Sequence, residues 1–382
     1  MLGQTGQETG THNHRSVSPT RSTPRFGRRS FLRRLGMGGG VLLPAAGLLA
    51  KGSSARASGF GGGLSQGDVA ILRLLAAAEI LEADLWQQYK EISLGNLAFI
   101  QAIQVLDGDM PTYVNQNTRD EFSHAAFLNS YLESKGHKRV NLEAFRRLPS
   151  SQATGSDKTA KRLTNLMNLT VDTSWFLRYR GAGNPDFGNT FPQIVNLVNV
   201  PGIPNSDLPA GSDDLQVIAN TAGFHFATIE QGGSSLYTSL LTKANSPEVL
   251  QIIGSIGGTE VQHFELWQDK AGNAPPVPAD TGARFPQLPL APSAGDVTFY
   301  PGDGTDPASP QDTNQVFPFP CTFINPHLAP CSVIRPSSTQ QAGAVAAFNG
   351  FVAMGLFQGQ SNAFFEFVFG LAHEADQARR DF

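Results

Sequence analysis

Two cysteines in 382 residues cannot by themselves make a zinc site, and Cys321 and Cys331 do not stand at C-x-x-C spacing. Glycines are plentiful, but none builds a nucleotide-binding loop. Gly61-Gly62-Gly63 lies in a flexible stretch before the first helical segment, and Gly232-Gly233 falls inside a helical one. No Gly-x-Ser-x-Gly elbow and no His-Glu-x-x-His occurs, which removes the commonest serine-hydrolase and zinc-protease signatures. Long apolar runs are also scarce. The one from Leu35 to Ala50 is too short and too glycine-rich for a membrane span of about 20 residues. The one from Phe348 to Phe369 is interrupted by Gly, Gln, Asn and Glu, so it reads as a helix packed on the rest of the fold or on a second copy of the chain.

What the chain does have is a repeated word: Glu121-Phe-Ser-His124 and Glu260-Val-Gln-His263. With eight histidines in the chain, about 0.3 Glu-x-x-His words are expected by accident, so two are a signal. Both sit in segments with helical patterning. Positions i and i+3 share a helix face one turn apart, so each word aims a carboxylate and an imidazole at one point.

The patterning predicts helices near 68–93, 97–106, 111–135, 157–179, 213–242, 247–271 and 339–379. The stretches 140–156, 180–212 and 272–338 read as loops. Asp68, Ser212 and Ser246 are the expected N-caps, Pro111 and Pro247 suit first turns, and Gly95 and Gly136 are stops. Four of these helices form two antiparallel pairs. Each pair has a lone glutamate on its first helix, Glu82 or Glu79 in one and Glu230 in the other, and Glu-x-x-His on its second. Two Glu-x-x-His words plus two lone glutamates are the ligand set of a di-iron or di-manganese bundle site. Carboxylate oxygen with some imidazole suits iron first and manganese second, and four glutamates match the charge of two divalent ions. Asp120 and Asp84 are placed to accept an imidazole N–H but read more simply as solvated charges. His225, about 140° round the helix from Glu230, reads as a packing histidine.

The N-terminus has a separate character. Arg28-Arg29-Ser30-Phe31-Leu32 precedes the apolar run, and Ala55-Arg56-Ala57 follows it as a small-x-small cleavage site. This resembles a bacterial twin-arginine signal peptide, which implies export to the periplasm or beyond, with the twin-arginine translocase as a transient partner. Removing residues 1–57 leaves 19 Lys and Arg against 31 Asp and Glu, a net charge near −12 that argues against nucleic acid as a partner. In an oxidising compartment Cys321 and Cys331 are expected to form one disulfide.

The order Glu, Glu-x-x-His, Glu, Glu-x-x-His resembles the ferritin-like superfamily. With Glu79-Ile-Leu-Glu82-Ala-Asp-Leu-Trp86 it is most similar to exported ferritin-like-domain proteins of the desiccation-related type. The resemblance implies an all-α four-helix bundle over 68–272, after a signal peptide at 1–57 and a flexible start at 58–67. A Pro-rich region at 273–338 and a C-terminal helix at 339–382 would decorate it. It implies that the metal ligands are Glu82, Glu121, His124, Glu230, Glu260 and His263, with Glu79 as the alternative to Glu82. In such relatives an aromatic often follows the lone Glu by seven and stands beside the metals. Glu82 is followed so by Tyr89 and Glu230 by Tyr237, although Glu79 precedes Trp86 by the same seven.

Two functions follow as expectations. One is a di-iron or di-manganese oxidoreductase acting on dioxygen or peroxide: an oxidase, a ferroxidase or a peroxide-detoxifying protein. The other is a non-enzymatic envelope or desiccation-stress protein that keeps the bundle for structure or metal sequestration.

Overall fold

The computed structural model describes residues 63–178, 193–278, 285–288 and 343–380. The segment expected as a signal peptide and the disulfide expected between Cys321 and Cys331 lie outside these residues. All described residues belong to one compact unit, and among them no helix is long and apolar enough to cross a membrane.

The frame is a bundle of four long helices. They are α1 (Gln66–Gly95), α3 (Met110–Ser134), α5 (Asp213–Leu241) and α6 (Pro247–Ala271), with short α2 (Leu97–Gln104) bridging the first pair. Alanine and leucine fill the interior of α1, where Ile71, Leu72, Leu75, Ala76 and Ala77 are fully buried. Ser65, rather than Asp68, caps α1, its hydroxyl accepting from the Asp68 amide at 3.0 Å. The buried Asp68 carboxylate instead accepts from the amides of Asn245 and Ser246, at 2.8 and 3.2 Å. It thereby ties down the two residues that lead into α6, whose N-cap Ser246 makes no side-chain cap bond.

α1 and α3 pack antiparallel, as do α5 and α6. Trp86 and Trp267 stack at 5.4 Å between the pairs, with Phe226 at 4.8 Å from both. This aromatic layer fills the bundle on one side of the polar cluster described below.

Two departures from the sequence-based expectation lie outside the bundle. The segment expected as a helix over 157–179 is mostly irregular. It contains strand β1 (Leu169–Val171), paired antiparallel with β2 (Leu197–Val200), and one short turn of helix, α4 (Trp175–Arg178). The reason is tertiary. The Asp84 carboxylate of α1 accepts from the amides of Leu163 and Thr164 and from the Thr164 hydroxyl, at 3.0, 2.9 and 2.7 Å, which holds this backbone open. Asp84 therefore anchors a loop and serves no imidazole.

The C-terminal helix is broken into α7 (Ala344–Ala353) and α8 (Asn362–Gln377). Gly355 and Gly359 between them adopt φ of +80° and +91°, which stops a helix and turns the chain. α8 packs on α1, and its Asp376 accepts from the Ala344 and Val345 amides at 2.9 and 3.0 Å, capping α7.

Candidate metal centre

The four bundle helices bring seven carboxylate and imidazole side chains together. Glu79, Glu121, Glu230 and Glu260 are completely buried, and Glu82, His124 and His263 nearly so. Two groups of four have ligand atoms mutually within 4.8 Å: Glu79, Glu121, His124 and Glu260; and Glu121, Glu230, Glu260 and His263. Glu121 and Glu260 belong to both, so the groups form two adjoining positions with two shared carboxylates.

The imidazoles are aimed inward. His124 Nδ1 lies 3.2 Å from both Glu79 Oε2 and Glu121 Oε2 and 3.5 Å from Glu260 Oε1. His263 Nδ1 lies 3.2 Å from Glu121 Oε1 and 3.3 Å from Glu230 Oε2. Its other nitrogen, Nε2, is 3.2 Å from the Asp120 carboxylate, which accepts that N–H and leaves Nδ1 to the interior.

A metal fits this donor set. Both oxygens of Glu260 are buried without a hydrogen bond, and Glu230 Oε2 and His263 Nδ1 are buried against one another at 3.3 Å. Carboxylate oxygens gathered in this way are expensive unless something positive satisfies them. The backbone makes room for one of them. A side chain on Gly233 would collide with the Glu260 carboxylate, which accounts for a Gln231-Gly232-Gly233 run in the centre of α5.

Electrostatics in the metal-free protein agree. Burial, with the charges of Glu121 and Glu230, pushes the Glu260 carboxyl well above its usual range. Burial also raises Glu121, to about 7, against the lowering effect of hydrogen bonds from both histidines. Burial would lower the histidines. The Glu121 and Glu79 carboxylates nevertheless push His124 up to about 10, and the Glu230 charge with bonds to Asp120 and Glu121 pushes His263 up to about 12. Protons thus hold the place that divalent ions would take.

Glu79, not Glu82, supplies α1's oxygen to the ligand groups, and Tyr237 donates its hydroxyl proton to Glu79. Glu82 stands one turn along, buried, with no hydrogen bond of its own, near enough for its carboxyl to be raised by burial and by the charges of Glu79, Glu121 and Glu230. Tyr89, expected beside the metals, points elsewhere. Its hydroxyl is 2.8 Å from His225 Nδ1, and burial drives that histidine down to about 3, so it stays neutral.

Asn117 was not singled out in the sequence. Its amide donates to Glu121 Oε1 at 2.7 Å and Glu230 Oε1 at 3.0 Å, while its oxygen accepts from Trp267 Nε1 at 2.8 Å. The signal for it was its place one turn before Glu121 on the same helix face.

A family model described as a ferritin-like domain matches residues 67–272, which span all seven residues of the cluster. No curated protein and no solved structure matches the chain.

Proposed function

Since the chain belongs to the ferritin-like domain family, we propose that it is an exported metal protein holding two iron ions, or two manganese ions, between its bundle helices. The first position would be Glu79, Glu121, His124 and Glu260, and the second Glu121, Glu230, Glu260 and His263. One observation carries this reading: two four-residue ligand groups that share Glu121 and Glu260, with both Glu260 oxygens buried and unpartnered.

Two bound redox-active ions supply paired one-electron changes at one point, which suits reaction with dioxygen or peroxide. The residues do the positioning. Asn117 holds Glu121 and Glu230 by one oxygen each, while their second oxygens face His124 Nδ1 and His263 Nδ1 respectively. Tyr237 fixes Glu79 in the same way, and Asp120 keeps His263 in the tautomer whose Nδ1 carries the lone pair. The aromatic layer around Trp86 and Trp267 keeps bulk water from that side.

Elemental analysis of the mature protein tests the reading. About two Fe or Mn per chain are expected, both lost in Glu260→Gln with His263→Ala. No bound metal after anaerobic loading with Fe(II) and Mn(II) would overturn it and leave the structural or stress role. Export is supported by Arg28-Arg29 and the Ala55-Arg56-Ala57 site. Replacing both arginines by lysine should hold the protein in the cytoplasm, and undiminished export would reject the twin-arginine route.

A further inference from the structure

Among the described residues, Glu82 is the only polar one in the wall of an otherwise apolar cavity of about 30 Å³. The cavity lies between the bundle and the C-terminal helices. Leu81 and Leu85 of α1 and Ile229 and Leu236 of α5 form one side, and Ala347 and Phe348 of α7 lie on the other. Half of the wall comes from residues 344–368, beyond the matched domain. The volume is about twice what one water needs, but an apolar wall gives water too few partners. At its inner end stands the Glu82 carboxyl, nine-tenths buried and without a hydrogen bond, facing the charges of Glu79, Glu121 and Glu230.

The outer end is equally specific. Phe351 of α7 lines this cavity and also a surface cleft of about 660 Å³, bounded by the paired strands β1 and β2, by Thr228 and Gln231 of α5 and by Asn349. Phe351 is thus common to the walls of the cleft and the chamber, and Glu82 is common to the chamber wall and the surroundings of the ligand cluster.

We propose that this chamber is a binding site for a neutral, apolar molecule of two heavy atoms, dioxygen above all, which enters past Phe351 and passes Glu82 to the metal centre. The assignment of dioxygen rests on the metal-centre reading; the chamber as a gas site does not. Hydrated cations would have to shed their water in an apolar passage, at high cost. The seam of α3 and α6 suits them better, because there the half-exposed Asp120 carboxylate meets His263. Hydrogen peroxide has two donors to satisfy and would find a single carboxyl.

Crystals of the full mature chain under xenon pressure provide the test. Xenon is expected against Ala347 and Leu236, within contact of Glu82. It should be absent in Ala347→Phe and, independently, in Leu236→Phe, each checked for an unchanged melting temperature and metal content. In folded, Fe(II)-loaded protein the Ala347→Phe change should slow reaction with dioxygen roughly tenfold. Ile256→Phe, which fills a separate groove lined by Phe127 and Tyr131 of α3 and Ile252 and Ile256 of α6, should not. Absence of xenon from the wild-type chamber overturns the proposal, even if both filled variants fail to fold. So does an unchanged dioxygen rate when the chamber is filled. A chain that takes up xenon but no metal would refute the metal reading and leave the gas site standing.

Discussion

Gly233 of α5 and Glu260 of α6 approach so closely that even a methyl group at 233 would strike the carboxylate. Glycine inside a helix normally costs about 0.5–1 kcal/mol relative to alanine, so Gly→Ala there usually stabilises. At 233 the sign should reverse: Gly233→Ala is expected to displace Glu260, lower the metal content and reduce stability. Gly258→Ala is the control on the facing helix, because its new methyl meets nothing within 4 Å. It should raise stability by about 0.5–1 kcal/mol. Thermal melts with and without Mn(II) compare the two, and a Gly233→Ala protein with wild-type metal content would sink the argument.

Asn117 couples three elements, taking a proton from Trp267 and giving two to ligand carboxylates. Removing such a partner typically weakens metal affinity by about 10–100-fold. Asn117→Ala should show that loss in a competition titration with a chelator, while the metal-free protein still folds. Trp267→Phe keeps an aromatic ring in the layer but loses the indole N–H, so it should show a smaller loss in the same direction. Equal affinity in all three proteins would reduce Asn117 to a packing residue.

The two Glu-x-x-His words were legible because helix periodicity alone sets i and i+3 on one face. Which α1 glutamate joins the carboxylate and imidazole groups was not, because Glu79 and Glu82 are also three apart and α1 buries both. Only the partners across the bundle, Tyr237 and His124 for Glu79 and apolar walls for Glu82, separate them. The 157–179 segment misleads for a related reason. Its apolar spacing suits a helix, but the Asp84 carboxylate that claims its amides lies some 80 residues away in sequence. The break between α7 and α8 was signalled by Gly355 and Gly359, yet their positive φ is a property of the fold.

The separation of Glu79 from Glu82 gives a direct test. Glu79→Gln should lose metal from the His124 position and leave the His263 position filled. Glu82→Gln should keep both ions. Metal counts with electron paramagnetic resonance of Mn(II)-loaded protein distinguish one ion from a coupled pair. Loss of metal in Glu82→Gln but not in Glu79→Gln would exchange the two roles.

Asp376 caps α7 through the Ala344 and Val345 amides and also pairs with Lys243 Nζ at 3.2 Å. Loss of a cap typically costs about 0.5–2 kcal/mol. Asp376→Ala should therefore lower stability by that order and loosen α7 over the chamber, seen as faster amide exchange in 344–353. Unchanged exchange there would mean that α7 is held by its apolar face alone.

The metal-free and metal-loaded proteins should respond to pH with opposite signs. Without metal, Glu121 holds its proton to about 7 and His124 to about 10, both above their ordinary values. The folded chain then binds more protons than the unfolded one, so stability falls as pH rises through this window. The Glu121 contribution is complete below its unfolded value near 4.5 and gone above about 7. That of His124 is complete below 6.5 and gone above about 10. Glu260 and Glu82, also raised, act in the same sense. Two groups act oppositely: Asp120, held low by its bond from His263, only in acid below its ordinary 3.8, and His225, kept neutral by burial down to about 3, below its ordinary 6.5. Divalent ions must displace these same protons, so their affinity should rise with pH. Melting temperatures from pH 6.5 to 9, above the range in which His225 opposes the trend, should accordingly fall in chelator, while the increment from Mn(II) grows. A metal-free protein that becomes more stable from pH 6.5 to 9 would mean that the buried carboxylates are ionised and compensated by other groups.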